Sequence, residues 1–321
     1  MTKNSYDVIC FSHLRWDFVF QRPQHLFTRC AKDHRVFYVE EPAFTDDSFP
    51  EIHLKRIDKS LTVVTPHIPK AFPEDSIVAV QKNLISDLIE SEKITDYVSW
   101  YYTPMALKFT RDLTPVATIY DCMDELSNFK FAPPELTKLE AELFKKAGLV
   151  FTGGHTLFKA KKNLHHNIFP FPSSIDREHF VQARAKQSDP IDQRNIPFPR
   201  LGYYGVVDER IDIELIRDLA KKRPDWQIII LGPIAKIDPA TLPQASNIHY
   251  LSSKSYQELP QYIASWDVAL MPFAINDATK FISPTKTPEF LAGGRPVVST
   301  AISDVVHPYG VKNLVKIANN A

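Results

Sequence analysis

Trp266-Asp267-Val268-Ala269-Leu270-Met271-Pro272-Phe273, followed after a polar stretch by Ser283-Pro284-Thr285-Lys286-Thr287-Pro288-Glu289-Phe290-Leu291-Ala292-Gly293-Gly294-Arg295-Pro296-Val297-Val298-Ser299-Thr300, reads as strand, loop, helix, strand. The apolar run stops at Pro272. Pro288 and Glu289 fall in a helix's first turn, where a proline forfeits no hydrogen bond and a carboxylate meets the positive end of the dipole. Gly293-Gly294 ends that helix and Val297-Val298 begins a short buried strand, so the segment is a crossover between parallel strands. Its helix N-terminus faces the carboxyl ends of those strands, where an anion is stabilised. The backbone N–H groups of Thr285 and Lys286, with the Lys286 ammonium, make a cradle suited to a diphosphate.

Outward from this unit the same alternation recurs. Short β-rich runs at 7–12, 35–40, 61–65, 97–102, 116–121, 149–152 and 168–171 are separated by segments of helical spacing. In one of these segments Leu136, Leu139, Leu143 and Phe144 form a single apolar stripe among lysines and glutamates, as on a helix covering a sheet. Pro170, Pro172, Ser173-Ser174, Asp189-Pro190, Pro197 and Pro199 then mark a polar connection. Beyond it the pattern restarts with strands at 201–206, 227–231 and 248–251 and helices at 213–222 and 255–265. The expected fold is α/β: two Rossmann-like doubly wound parallel-sheet domains, 1–172 and 173–321, with a hinge near residue 172. The chain stops soon after its last strand, so the second domain is expected to lack its final helices in a piece of a longer polypeptide.

The whole-chain numbers narrow the function. At 321 residues there is length for two cores, and 38 basic residues balance 38 acidic ones, which gives nucleic acid no general electrostatic attraction. Cys10, Cys30 and Cys122 have neither disulfide-framework nor zinc spacing and point to a reducing, cytoplasmic compartment. Met1–Ser5 leads directly into a strand, and no apolar run approaches the ~20 residues that span a bilayer. Association with the inner face of a membrane would therefore be peripheral. Phe11 is followed by Ser12-His13-Leu14-Arg15-Trp16-Asp17 with no glycine, which removes the nicotinamide-dinucleotide reading, and the Walker lysine motif is absent.

Several residues stand out. His13, Arg15, Trp16, Arg22 and His25 concentrate polar groups and one indole where the first strand exits, in a pattern suited to sugar hydroxyls and phosphates. Ordinary capping and salt bridging would use the same residues. Asp124 belongs to the D-x-x-D-E run that begins at Asp121, a weak pattern for a divalent metal between carboxylates and a sugar nucleotide; carboxylates after a strand more commonly cap the next helix or face solvent, so no metal site is assigned and Asp124 is expected to contact substrate. His165 and His166, beside Lys159, Lys161 and Lys162, read as a solvated basic helix. In the second half Gly205 permits a close ligand approach and Arg210 can reach a diphosphate bidentately, or pair with Glu209 or Asp212 instead. Glu289 can act as a ligand group or simply as a partner of the helix dipole.

At this point the chain resembles the glycosyltransferases of the GT-B fold, in particular the large retaining class that uses nucleotide-sugar donors. Phe171-Pro172-Ser173-Ser174-Ile175-Asp176-Arg177-Glu178-His179-Phe180 is similar to that class's interdomain P-N-G-V-D-x-x-x-F signature, and Glu289 to Val298 to its E-x-x-A-x-G-x-P-V-V element. Phe11–Asp17 with Gln21-Arg22-Pro23-Gln24-His25-Leu26 resembles a bacterial surface-polysaccharide branch, some of whose members are joined to a UDP-galactopyranose mutase. The resemblance implies two domains facing a cleft, with Glu289 on the donor ribose, the Thr285 and Lys286 amides on the distal phosphate, and Gly205 and Arg210 as looser matches to the diphosphate loop. It implies a nucleoside-diphosphate sugar, UDP-linked foremost, a glycan or lipid-linked acceptor, and no cofactor or metal. His13, Lys286 and Glu289 are the residues expected to carry the reaction. One departure is visible: the class often has a second glutamate eight positions before the ribose-binding one, and here that position is Phe281, which leaves Asn276, Asp277 or Lys280 for the donor sugar. A non-hydrolysing sugar-nucleotide epimerase and a non-catalytic nucleotide-sugar-binding or assembly module are the alternatives.

Overall fold

The structure, a computed structural model, describes residues 6–321, so the expectation placed on Met1–Ser5 lies outside the described residues. The chain divides into two compact units: 1–123, 133–153 and 160–171 form the first, and 124–132, 154–159 and 172–321 the second.

The first unit is built on a nine-stranded sheet. Its strands are β1 (Asp7–Phe11), β2 (Val36–Val39), β3 (Ala43–Thr45), β4 (Glu51–Arg56), β5 (Leu61–Pro69), β6 (Tyr97–Tyr101), β7 (Ala117–Cys122), β8 (Leu149–Thr152) and β9 (Ile168–Pro170). They run in the order β3-β5-β2-β1-β6-β7-β8-β9, with β4 on β5. Every pairing is parallel except β4 on β5. All residues of β1 and β2 are buried, as befits parallel strands covered on both faces. The expected strands are present. The reading missed β3 and β4, because β4 is an exposed edge strand whose Glu51-Ile52-His53-Leu54-Lys55-Arg56 carries edge charges in place of a buried face. The leucine-striped segment forms the helix Leu136–Lys146 and buries Leu136, Leu139, Leu143 and Phe144. The solvated basic helix is corrected: the helix His155–Lys161 ends before His165, and Lys161 is buried, its ammonium 2.8 Å from both carboxylate oxygens of Glu140.

The second unit carries a six-stranded parallel sheet, ordered β12-β11-β10-β13-β14-β15. Its strands are β10 (Arg200–Tyr204), β11 (Gln227–Leu231), β12 (Ile248–Leu251), β13 (Val268–Met271), β14 (Val297–Ser299) and β15 (Lys316–Ile317). Trp266 is its largest fully buried side chain, with the indole N–H 2.9 Å from the Gln193 amide oxygen. Arg200 is equally buried and fixes the proline-marked connection, donating to Asp189 at 2.6 Å and to the carbonyls of Gln193 and Ile196. Among the described residues no helix is long and apolar enough to cross a membrane.

Each sheet reverses its strand order beside its first strand. In the first the chain steps from β1 to β2 on one side and returns to β6 on the other; in the second it steps from β10 to β11 and returns to β13. At such a switch point the flanking crossovers diverge and leave a crevice beyond the strand carboxyl ends, the preferred ligand position in open α/β sheets.

Candidate functional site

The β10/β13 crevice of the second unit gathers the residues singled out in the sequence. The helix Lys286–Ala292 follows β13, and Glu289, one turn in, is buried. One carboxylate oxygen, Oε2, accepts hydrogen bonds from the Tyr204 hydroxyl at the end of β10 and from the Lys286 ammonium at 3.1 Å. The other, Oε1, receives no donor among the described residues. Burial, and then the Glu289 carboxylate beside it, push the Tyr204 phenol well above its ordinary value, so Tyr204 remains an O–H donor at any physiological pH. Lys286 lies 4.7 Å from the Tyr204 ring centroid, which adds a cation–π contact to its ion pair. The backbone amides of Thr285 and Lys286 find no protein acceptor among the described residues.

Beneath this group the backbone comes close to itself. Gly205 leaves β10 at φ +147, and a Cβ there would sit 2.6 Å from the Tyr203 hydroxyl. Gly232 leaves β11 at φ +140, and its missing Cβ would lie 2.1 Å from the Gly205 carbonyl oxygen. Neither position tolerates a side chain, and the result is an open backbone floor at the strand ends.

Arg210, expected to reach a diphosphate, is gripped by the buried Asp208, with Nε 2.9 Å and Nη2 2.6 Å from its carboxylate oxygens. The pairing anticipated with Glu209 or Asp212 falls to Asp208. Burial opposes the Arg210 charge but Asp208 outweighs it, so the guanidinium stays charged. The segment 124–132 lies over this loop: Phe129 is 5.8 Å from the Arg210 guanidinium and 5.5 Å from the Lys236 ammonium, and the Lys130 amide donates to Glu209. Asp124, on the same segment, acts electrostatically on Arg210. Phe129 and Lys236 were not legible as site residues, since nothing local in the sequence links them to Arg210.

The first unit places its candidates differently. Arg22 is buried and bidentate on Asp121, at 3.0 and 2.8 Å, with a third bond of 2.6 Å to the Phe171 carbonyl; this is a structural ion pair inside the sheet edge. Trp16 is packed in the core, edge-on to Tyr38 at 5.0 Å, with its amide 2.6 Å from Glu40. Arg15 holds Glu40 at 3.0 Å and the Pro42 carbonyl at 3.0 Å while remaining partly exposed. His13 and His25 are half-buried, His25 edge-on to Phe20 at 4.8 Å. His13, Arg15 and His25 thus retain access at the exit of β1, whereas Arg22 and Trp16 are engaged in holding that exit together.

Asp304, also missed, is buried after β14 and accepts the amides of His155 and Thr156, each at 2.9 Å, together with the Thr156 hydroxyl. It thereby caps the helix His155–Lys161, whose partner lies almost 150 residues away in sequence.

No family model matches the chain. A stretch of 115 residues, 34% of this chain, is 30% identical to the putative teichuronic acid biosynthesis glycosyltransferase TuaH of Bacillus subtilis (strain 168), and the match spans 29% of that protein. The solved structure of an Escherichia coli protein described as trehalose-6-phosphate bound with UDP-2-fluoro glucose superposes with a TM-score of 0.67 at 9% identity, over 98% of this chain and 88% of its own. Sucrose-phosphate synthase from Thermosynechococcus elongatus gives 0.68 at 12% identity, over 94% and 82%. WaaG, a glycosyltransferase involved in lipopolysaccharide biosynthesis, gives 0.62 at 14% identity, over 97% and 85%. With these neighbours the fold is GT-B, built from two Rossmann-like units.

Proposed function

We propose that this chain of GT-B fold is a glycosyltransferase of polysaccharide synthesis, passing a sugar from a nucleoside-diphosphate donor, UDP-linked foremost, to a glycan or lipid-linked acceptor. One observation carries the reading: at the β10/β13 crevice Glu289 commits one oxygen to Tyr204 and Lys286 and keeps the other for a ligand. A carboxylate so fixed is an acceptor for ribose hydroxyls. Beside it, Lys286 and the Thr285 and Lys286 amides suit the distal phosphate, and the charged guanidinium of Arg210 suits the other. A cavity of about 440 Å³ in the second unit, lined by Asn276, Asp277, Lys280 and Ser303 among others, has room for the donor sugar. It supplies polar groups from the loop that carries Phe281.

Charge stabilisation is the chemistry such a site performs. As the glycosidic bond lengthens, negative charge grows on the departing diphosphate, and the cations and amides already stand where it develops; one such donor is worth ~2.7–4 kcal/mol in other enzymes. No step requires a metal. In a retaining pathway the leaving phosphate takes the acceptor proton on the face it departs from. His13 is the first unit's candidate for orienting the acceptor hydroxyl, its imidazole being able to donate or accept a proton. The three free cysteines fit a reducing compartment, and the reading places the reaction in the cytoplasm, at the inner membrane face where the acceptor is lipid-linked.

The test is thermal unfolding of the chain and of Glu289→Ala with saturating UDP, GDP or ADP. A ligand at a hundredfold excess over Kd adds about 2.7 kcal/mol to stability. One nucleoside diphosphate should stabilise the chain, and the variant should lose that response. A chain that responds to none of the three overturns the donor site.

A further inference from the structure

The first unit has its own crevice at β1/β6, and its wall is mainly apolar. A cavity of about 340 Å³ opens there, at the lower end of the ~300–1,000 Å³ typical of ligand sites. Phe11 and Val39 at the ends of β1 and β2, Pro42, Val78 of the helix Ile77–Ser91, and Met105 and Phe109 beyond β6 make its wall mainly hydrocarbon. The charged lining residues are Glu40, Glu41, Glu74 and Lys108. The cations nearby are engaged: Lys108 with Glu135 at 3.0 Å, and Arg15 with Glu40 at 3.0 Å. Among the described residues, a phosphate or carboxylate entering this pocket would meet three lining glutamates against one lysine already paired with Glu135. A neutral sugar meets carboxylates that accept its hydroxyls, and a hydrocarbon chain meets a matching wall.

From this we infer that the first-unit crevice binds the apolar chain of an uncharged glycolipid acceptor, its sugar hydroxyls turned toward the exposed Glu41 and Glu74. The inference rests on the glycosyltransferase reading and names its acceptor class. It separates two kinds of lipid-linked acceptor by charge: a chain joined to a neutral sugar fits, and a chain joined directly to a phosphate does not.

Calorimetric titration of the full chain with hexyl and octyl β-D-glucoside below micelle formation, octyl phosphate, and glucose tests it. Each methylene buried tightens binding about fourfold, so octyl glucoside, two methylenes longer, should bind roughly fifteenfold more tightly than hexyl glucoside, with glucose giving no signal. Octyl phosphate should bind at least tenfold more weakly than octyl glucoside at low salt. Val78→Trp and Met105→Trp, both at half-buried wall positions, should fill the cavity and abolish glucoside binding, while stabilisation by the nucleoside diphosphate at the second unit persists. A wild-type circular-dichroism spectrum and two-unit unfolding profile certify each variant as folded, since the substitutions lie in the first unit, and the persisting nucleotide response separates failure here from failure of the donor site. Equal affinity for the two glucosides, preference for octyl phosphate, or glucoside binding undiminished in a folded variant overturns the inference.

Discussion

Glu289→Gln is the sharpest probe of the donor site, because the structure dictates which way the new amide must face. At the Oε2 position converge the Tyr204 hydroxyl and the Lys286 ammonium, both donors. The glutamine carbonyl must take that place, since an NH₂ against an ammonium is repelled and would leave the Tyr204 hydroxyl unpaired in the core. The NH₂ then occupies the Oε1 position, and a ribose hydroxyl that donated to a carboxylate meets a donor instead. A hydrogen bond to a charged group contributes ~1.5–3 kcal/mol, equivalent to roughly 10- to 150-fold in affinity. In the wild type, therefore, the 2′,3′-dideoxy form of the cognate nucleoside diphosphate should bind at least tenfold more weakly than the parent. In Glu289→Gln the two should bind within about threefold of each other. Titration calorimetry of both ligands against both proteins closes a double-mutant cycle in which the coupling is read directly. If the variant discriminates between parent and dideoxy nucleotide as strongly as the wild type, Glu289 does not face the ribose and the assignment is wrong.

Lys286→Met should lower kcat by about 10²–10³-fold in a donor-consumption assay, with a far smaller change in nucleotide affinity, if the ammonium acts mainly on the developing phosphate charge. Gly205→Ala must pull φ away from +147 or displace Tyr203, and should cost ~2–4 kcal/mol in urea unfolding. Arg22→Leu leaves the fully buried Asp121 without its guanidinium and should cost ~3–5 kcal/mol at neutral pH. Burial already raises the Asp121 carboxyl against the pull of Arg22, and losing Arg22 raises it further. The folded variant then binds more protons than the unfolded chain between the unfolded and folded values, so its deficit should shrink as pH is lowered through that window. Asp304→Ala removes the cap of the helix His155–Lys161 and should cost ~1–2 kcal/mol, seen as loss of hydrogen-exchange protection at His155 and Thr156.

What the sequence disclosed follows from the range of the interactions involved. The 266–300 stretch could be read because its signals are local: a strand that stops at a proline, a carboxylate one turn into a helix, a glycine pair, a second strand. The alternation of strands and helices was legible for the same reason. The loop after β1 was not. His13, Arg15, Trp16, Arg22 and His25 look alike as a polar cluster, yet Arg22 is drawn inward by Asp121, a partner 99 positions on, and Trp16 by Tyr38 and Glu40. Lys161 was misplaced on a solvated face because Glu140, 21 residues earlier, is what makes its burial tolerable. Tyr204 and Glu289 are 85 residues apart, and only the pairing of β10 with β13 shows that they form one group.

The position of that tyrosine also gives the molecule a built-in optical gauge. The Tyr204 ring meets Phe290 edge-on at 5.2 Å and lies 6.2 Å from Trp266, whose indole is only 1% exposed and so emits from a water-free environment. A nucleotide that engages Glu289 changes the electrostatic field at the Tyr204 hydroxyl, one ring away from the chromophore. On the proposed donor site, occupancy should therefore alter the ultraviolet emission of Trp266, a residue that would not touch the ligand, and the change should disappear when Trp266 alone of the four tryptophans is replaced by Phe.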